Sequence, residues 1–183
     1  MAENHQQKLE PSDWVRQYAS LVPEPGRVLD LACGGGRHGR LFLQRGHPVT
    51  LLDRDVDEIA DLSAEAGVEI IAADLEDGSP WPLAGRSFAA IVITNYLHRP
   101  LFPYIVECLA PGGLLIYETF AKGNEKLGRP RNPAFLLNPA ELLDAFAPRL
   151  TIMAYEHAIE EEPTPAVRQR ICAINGSEPA RRH

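Results

Sequence analysis

The stretch VLDLACGGGRHGRLF, residues 28–42, is an apolar run broken by one acid and followed by a glycine turn and a helix-like pattern. Gly34, Gly36 and Gly39 fit the G-x-G-x-x-G spacing, in which a strand turns sharply into a helix that faces a ligand. Three consecutive glycines cost backbone entropy without adding packing, so we interpret the turn as a ligand contact rather than a simple connection. Asp30 stands where a plain nicotinamide-binding strand needs no carboxylate, and the rest of the chain must explain it.

Length and composition predict one globular domain over residues 1–183, with flexible ends at 1–10 and 176–183. The chain has 45% hydrophobic and 23% charged residues and a net charge of −7. The negative charge and the lack of a basic stripe argue against a nucleic-acid partner. No apolar run approaches the ~20 residues of a membrane span, and the polar start lacks the centre of a signal peptide, so we expect no membrane partner and a cytoplasmic location. The three cysteines show no metal-ligand spacing, so we expect reduced thiols and no metal.

Short runs of Val, Ile, Leu and Ala alternate with helical patterns, which is typical of a parallel sheet covered on both faces. Five such strands are RVLDLA, HPVTLLD, VEIIAAD, FAAIVITN and PGGLLIYETF. Two further strands, LTIMAYEHA and AVRQRICAI, are joined by IEEEPTP, which is too short for a helical crossover and predicts an antiparallel hairpin. We also expect helices in SDWVRQYASL with Ser12 as cap, in DVDEIADLSAEA, and in NPAELLDAF with Asn138 as cap and Pro139 in the first turn.

Three successive strands end in a carboxylate: Asp30, Asp53 and Asp74. Ligands of open α/β sheets bind at this edge, so the acids are expected to meet a ligand that carries positive charge and hydroxyl or amino donors. Asp53 lies near the distance downstream of Gly36 that suits an acid binding ribose hydroxyls. Asp74 taken by itself is equally well interpreted as a loop cap.

The motifs VLDLACGGGRHG, VTLLDRD and AADLED resemble the cofactor-binding motifs of class I S-adenosylmethionine-dependent methyltransferases. LAPGGLLIYE and the terminal hairpin extend the resemblance over nearly the whole domain, and the short chain is similar to small methyltransferases of the tellurite-resistance type. The resemblance implies an α/β, Rossmann-like, doubly wound sheet of seven strands in the order 3-2-1-4-5-7-6, with the last strand antiparallel. It also implies S-adenosylmethionine as cofactor.

The resemblance also implies roles for individual residues. Asp30 and the turn face the methionine portion of the cofactor. That portion carries a sulfonium and an ammonium and no pyrophosphate, which explains why a carboxylate stands at this position. Asp53 binds the ribose hydroxyls, and Asp74 with the Leu75 amide holds adenine. The expected cofactor-binding set is Asp30, Gly34, Gly35, Gly36, Asp53, Arg54, Asp74, Leu75 and Asn95.

Three residues are candidates for catalysis because they follow the fourth strand or end the fifth: His98, Tyr96 and Glu118. His98 has the more suitable pKa for a base, although a solvent-facing position at the start of the next helix is as good an interpretation. Glu118 is unusual because a carboxylate near a central strand is costly unless it faces a cleft or a partner.

Residues 121–138 form a long segment without a secondary-structure pattern, and such segments are often lids or binding loops. The segment holds two lysines together with Arg129 and Arg131 against a single acid, and Arg99 adds a cation at the same edge. We interpret Arg99, Arg129 and Arg131 as binding an acceptor that carries an oxyanion, with an ordinary solvated loop as the alternative. Trp14 and Tyr18 are expected either to close the pocket or to pack in the core.

The sequence therefore predicts methyl transfer to a small-molecule acceptor by a monomer or homodimer. An NAD(P)-dependent oxidoreductase and a non-catalytic adenosylmethionine-binding protein stay open as alternatives. Against the oxidoreductase stand Asp30, the Asp74–Leu75 pair and the terminal hairpin. Against the silent protein stands the long loop, which indicates an acceptor pocket.

Overall fold

A seven-stranded sheet organises the part of the chain that the computed structural model describes, residues 10–162 and 164–177. The strand order is 3-2-1-4-5-7-6, and the last strand runs antiparallel to both of its neighbours, as predicted. The expected flexible ends lie outside the described residues, apart from residues 10, 176 and 177. The strands are β1 Val28–Leu31, β2 Val49–Asp53, β3 Val68–Ala72, β4 Phe88–Thr94, β5 Leu109–Phe120, β6 Thr151–Glu160 and β7 Ala166–Ile174.

The central strands are apolar because helices and loops cover both of their faces. All four residues of β1 are buried, and so are the apolar side chains of β4 other than Ala89 and those of residues 114–117 in β5. Burial on both faces explains why these strands read as continuous apolar runs rather than alternating patterns. β3 lies at the edge of the sheet and is only half-buried.

Four short α-helices flank the sheet within the described ranges. They are α1 Asp13–Tyr18, α2 Arg37–Gln44, α3 Phe102–Glu107 and α4 Glu141–Phe146. The hydroxyl of Ser12 accepts a hydrogen bond from the amide of Val15 (3.4 Å), so Ser12 caps α1 as predicted. None of the helices in the described part of the chain is long and apolar enough to cross a membrane.

Two helix predictions need correction. The predicted helix after β2 is a 3-10 segment, Asp57–Ala64, whose buried Ile59 and Leu62 lie three residues apart, the spacing that aligns side chains on a 3-10 helix. The helix α4 begins at Glu141, not at Pro139. The buried side chain of Gln169 holds the preceding segment, because its Nε2 donates to the carbonyl of Asn138 (2.5 Å).

Trp14 and Tyr18 pack in the core and do not line the cleft described below. Their rings contact edge to face at a centroid distance of 4.8 Å. The indole Nε1 of Trp14 donates to the carbonyl of Ile171 on β7 (3.2 Å), which ties α1 to the far half of the sheet. Core packing is thus the correct choice between the two interpretations.

Candidate functional site

A cleft of about 730 Å³ lies at the carboxyl ends of β1, β2 and β4 and beside the loop after β3. This is the place where open α/β sheets bind their ligands. Four segments supply most of its wall: the glycine turn, the start of the loop after β2, the residues that follow β3, and the residues at the end of β4. The charged and polar lining residues are Arg37, Asp53, Arg54, Glu58, Asp74, Glu76, Thr94, Asn95 and Tyr96.

The glycine turn needs glycine for two separate reasons. Gly34 and Gly36 have φ values of +51° and +70°, a backbone region that disfavours residues with a Cβ. At Gly36 a Cβ would also lie only 2.8 Å from Cγ2 of Ile59 in the 3-10 segment after β2. The turn therefore packs closely against that segment while Gly34 and Gly35 face the cleft.

Asp53 connects the end of β2 to the glycine turn. Its Oδ2 accepts a hydrogen bond from the amide of Gly34 (2.8 Å), and its Oδ1 accepts one from the amide of Asp55 (3.1 Å). A carboxylate oxygen can accept more than one hydrogen bond, so both atoms keep capacity for donors in the cleft. Arg54, the next residue, also lines the cleft.

Asp74 follows β3 and has a local role as well as a place in the cleft. Its Oδ1 accepts from the amide of Glu76 (2.9 Å), which is the loop-capping contact that was one interpretation of this acid. Asp74, Leu75 and Glu76 all line the cleft, together with Asp53. The two interpretations of Asp74 are therefore compatible.

Asp30 lies beneath the turn and is not among the residues that line the cleft. Its side chain is 2% exposed, and its Oδ2 accepts from the amide of Gly39 in α2 (2.8 Å). Burial raises the pKa of Asp30 to about 7, against the smaller lowering effects of the Gly39 amide and Arg37. At this position the acid holds the start of α2 against β1, and a contact with the methionine portion stays a prediction.

His38 is the buried neighbour of Asp30. Its Nε2 accepts a hydrogen bond from the amide of Ser12 (3.2 Å), so the proton of the neutral ring is on Nδ1, 4.0 Å from Oδ1 of Asp30. Burial lowers the pKa of His38 to about 3. The ring is therefore neutral near pH 7, and the pair is not an ion pair there.

Tyr96 lines the cleft, whereas His98 does not. Burial raises the pKa of Tyr96, and the nearby Glu76 carboxylate raises it further, so the phenol stays protonated and can donate a hydrogen bond but does not act as a base. The side chain of His98 is 26% exposed, with Nδ1 4.0 Å from Oε2 of Glu76. Its assignment as a base stays a prediction.

Glu118 is held by an arginine inside the sheet. Its side chain is 5% exposed, and its Oε2 accepts from Nε of Arg170 on β7 (2.9 Å). Arg170 also pairs with Glu156 (3.3 Å) and with Glu160 on β6. A buried carboxylate was expected to face either a cleft or a partner, and Glu118 has a partner in Arg170.

Arg99 fixes the loop of residues 121–138 instead of presenting its donors to the cleft. Its guanidinium donates to both carboxylate oxygens of Glu141 (2.5 and 3.0 Å) and to the carbonyls of Ala134 (2.9 Å) and Leu136 (3.0 Å). Arg129 and Arg131 are exposed and are not among the lining residues. The loop residue that lines the cleft is Phe135.

Comparison with known proteins matches residues 28–113 to a family described as a methyltransferase domain. The trans-aconitate 2-methyltransferase of Acidovorax sp. (strain JS42) is 34% identical over 97 residues, which are 51% of this chain and 38% of that protein. The chain thus spans well under half the length of this curated relative.

Two solved structures share the fold over nearly the whole chain. An S-adenosylmethionine-dependent methyltransferase from Mesorhizobium loti superposes with a TM-score of 0.70 and 18% identity, covering 91% of this chain and 99% of that one. TehB from Haemophilus influenzae superposes with a TM-score of 0.69 and 18% identity, covering 89% and 61%. Residues 28–113 thus match a methyltransferase domain, and the chain shares the fold of S-adenosylmethionine-dependent methyltransferases.

Two arginines at or beside the cleft were not singled out in the sequence. Arg37, the first residue of α2, lines the cleft. Arg168 on β7 donates from Nη1 to Oδ1 of Asn95 (2.6 Å), and its guanidinium lies 4.2 Å from the ring centroid of Phe120. The position of Arg37 directly after the glycines was a usable signal. Arg168 is not among the lining residues. The pairing register of β7 with β5, which no local pattern encodes, places it beside Asn95, which does line the cleft.

Cys33 lines the cleft but is not a nucleophile. Burial raises the pKa of its thiol, and the carboxylates of Asp30 and Asp53 raise it further, so the reactive thiolate is suppressed. Within residues 10–162 and 164–177, no group of His, Cys, Asp or Glu side chains is arranged to hold a metal ion.

Proposed function

We propose that this protein transfers a methyl group from S-adenosylmethionine to a small-molecule acceptor. The observation that carries the proposal is the acidic cleft beside the glycine turn, where Asp53, Glu58, Asp74 and Glu76 face two arginines. Such a cleft suits a ligand with cationic groups and hydroxyl donors and disfavours a pyrophosphate. S-adenosylmethionine supplies a methyl group on a sulfonium, which is an activated leaving group.

The residues of the cleft fit the parts of this cofactor. Asp53 retains hydrogen-bonding capacity for the two ribose hydroxyls while it holds the amide of Gly34. Asp74 and Leu75 lie on the side of the cleft beyond β2, which suits adenine. The turn of residues 34–36 leaves the methionine portion close to the backbone, since no side chain projects from these positions.

The chain's own contribution to the transfer is alignment of the acceptor. In-line positioning of two reactants can supply several kcal/mol, up to ~10 in well-oriented models. Tyr96 stays protonated and donates a hydrogen bond in the cleft. An acceptor that must lose a proton requires a base such as His98, whereas a carboxylate acceptor is already a nucleophile and requires none.

The loop of residues 121–138 is proposed to form the acceptor side of the cleft. Phe135 lines the cleft and is 44% exposed, so an apolar part of an acceptor would cover it. Arg129 and Arg131 stand exposed on the same loop and give its surface a positive charge. The curated relative from Acidovorax is named for trans-aconitate, an anionic small molecule, which agrees with this proposal.

Calorimetric titration of the purified protein with S-adenosylhomocysteine, S-adenosylmethionine and NAD tests the proposal. We expect binding of the first two and none of NAD. A screen with methyl-labelled cofactor against small carboxylic acids and a metabolite extract then tests transfer. Binding of NAD without binding of either adenosyl ligand would contradict the proposal. Cofactor binding with no transfer to any acceptor would favour the non-catalytic alternative.

A further inference from the structure

Two arginines from distant parts of the chain, Arg37 and Arg168, flank the end of the cleft next to Asn95. We infer that they form an oxyanion site for the acceptor, with a carboxylate as the group bound. The inference rests on the proposed methyl transfer and narrows its acceptor to an anion.

Arg37 presents unused donors to the cleft. It is half-buried and lines the cleft, and among the described residues only the carbonyl of Glu10 accepts a hydrogen bond from it (3.1 Å, from Nη1). The Nε and Nη2 atoms of Arg37 have no acceptor among residues 10–162 and 164–177. A guanidinium offers a planar fork of N–H groups that matches a carboxylate, so Arg37 is equipped for one.

Arg168 is held rigidly beside Asn95 at the same end of the cleft, although it is not itself among the lining residues. Its side chain is 16% exposed, stacks over Phe120, and donates to Asn95, a lining residue, and to Glu160 (2.8 Å). These contacts use Nη1 and Nε, and Nη2 has no acceptor among the residues that the structure describes. The fixed orientation lowers the entropy cost of binding an anion at the remaining donors.

The charges around the two arginines leave room for an anion. Glu118 is the one carboxylate that favours the charged form of both Arg37 and Arg168. It already accepts a hydrogen bond from Arg170. Burial lowers the pKa of Arg37, and the charge of Arg168 lowers it further. Burial also lowers the pKa of Arg168. An oxyanion between the two would offset both effects.

The position favours the acceptor over the cofactor as the source of the oxyanion. Asp53 and Asp74 follow β2 and β3, on one side of β1, whereas Asn95 and Arg168 belong to the β4–β5–β7 side. A cofactor whose ribose and adenine lie at Asp53 and Asp74 has its methionine portion at the glycine turn, next to Arg37, and leaves the side of Arg168 to the second substrate. The methionine carboxylate of the cofactor remains the competing source, and the experiment below separates the two.

The test uses the full chain saturated with S-adenosylhomocysteine and four anionic probes: trans-aconitate, succinate, acetate and inorganic phosphate. Binding is measured by calorimetry for the wild type and for Arg37→Gln, Arg168→Gln and Arg168→Lys. The matched control is Arg40→Gln, which removes the same charge one turn further along α2, where Arg40 pairs with Asp61 on the surface. Circular dichroism and thermal unfolding confirm that each variant is folded.

We expect at least one carboxylate probe to bind the wild type, and its affinity to fall roughly tenfold to a hundredfold in both glutamine variants. Arg168→Lys should restore part of the affinity, because the charge remains and the fork does not. Arg40→Gln should bind as the wild type does. Should an unstable glutamine variant fail to fold, Arg168→Lys still has to bind the probe less tightly than the wild type.

Three results would overturn the inference. The first is that no probe binds the wild type at concentrations up to ~10 mM. Binding would then be weaker than a dissociation constant of ~1 mM, which corresponds to about −4 kcal/mol. The second is that the probes bind the wild type and both glutamine variants equally. The third is that the glutamine variants bind S-adenosylhomocysteine less tightly but bind methylthioadenosine, which lacks the amino-acid portion, as the wild type does. That result would assign the arginines to the cofactor's carboxylate. Failure of S-adenosylhomocysteine to bind the wild type is a separate result that contradicts the proposed function itself.

Discussion

Replacing Asp53 by alanine should weaken cofactor binding far more than it weakens the fold. In the proposed complex the Asp53 carboxylate accepts hydrogen bonds from both ribose hydroxyls, and each charged hydrogen bond contributes ~1.5–3 kcal/mol. Loss of both corresponds to a rise in the dissociation constant of about two to four orders of magnitude. The same carboxylate accepts from the amides of Gly34 and Asp55. Both contacts are exposed, so water replaces the carboxylate there and the cost in unfolding free energy stays below ~2 kcal/mol.

The assay is calorimetric titration with S-adenosylhomocysteine, together with urea unfolding of the same samples. Asp55→Ala is the matched control, because it removes an identical charge two residues away and Asp55 does not line the main cleft. A ligand that lacks the ribose 2′-hydroxyl separates direct loss from a shifted turn. It should bind the wild type less tightly and lose about half as much binding free energy on Asp53→Ala as the complete ligand does, because only one of the two hydroxyl hydrogen bonds is left to lose. A folded Asp53→Ala protein with unchanged affinity for the complete ligand would refute the assignment.

Three further predictions concern the residues around the cleft. Asp30→Asn should stabilise the protein at pH 8, by about 4 kcal/mol at most, and flatten its stability between about pH 4 and 7. In that window folded Asp30, with its pKa raised from 3.8 to about 7, keeps a proton that the unfolded chain releases, so wild-type stability falls as pH rises. Urea unfolding across pH measures this, and an unchanged slope would contradict the raised pKa. Gly36→Ala should cost ~1–3 kcal/mol more unfolding free energy than Gly46→Ala, because both positions have positive φ but only the Cβ at residue 36 meets Ile59; equal costs would argue against the close packing. Arg99→Gln should speed proteolysis within residues 129–137, since the four oxygen atoms that accept from the guanidinium lose their donor. Arg129→Gln is the control, and equal cleavage rates would show that the ion pair does not hold the loop.

The sequence predicted the sheet because its signals are local and repeated. Each strand is a short apolar run, and the link IEEEPTP between β6 and β7 is too short to cross the sheet. The residues at the ends of β2 and β3 could be placed for the same reason, since the carboxyl ends of parallel strands share one edge. Asp53, Asp74 and Leu75 therefore line the cleft together.

Side-chain partners across the sheet were beyond the reach of local patterns. Glu118 reads as a lone buried acid until the register of β7 places Arg170 beside it. Arg99 reads as a free cation until Glu141, 42 positions further along the chain, is folded against it. In both cases the decisive partner is distant in sequence. The first pair depends on a strand register, and the second depends on how α4 packs beside the turn that begins at Arg99; composition and periodicity specify neither.

The insertion of β7 between β5 and β6 has a consequence for how the chain is made. Until residues 166–174 have left the ribosome, β5 presents an unpaired edge that includes the apolar residues 114–117. An open apolar edge on a partly synthesised chain is a template for pairing with other chains, so the nascent protein needs protection at β5 until β7 has been made. The strand that covers this edge, β7, also carries Arg168. Synthesis of residues 166–174 therefore completes both the sheet edge and the proposed acceptor end of the cleft.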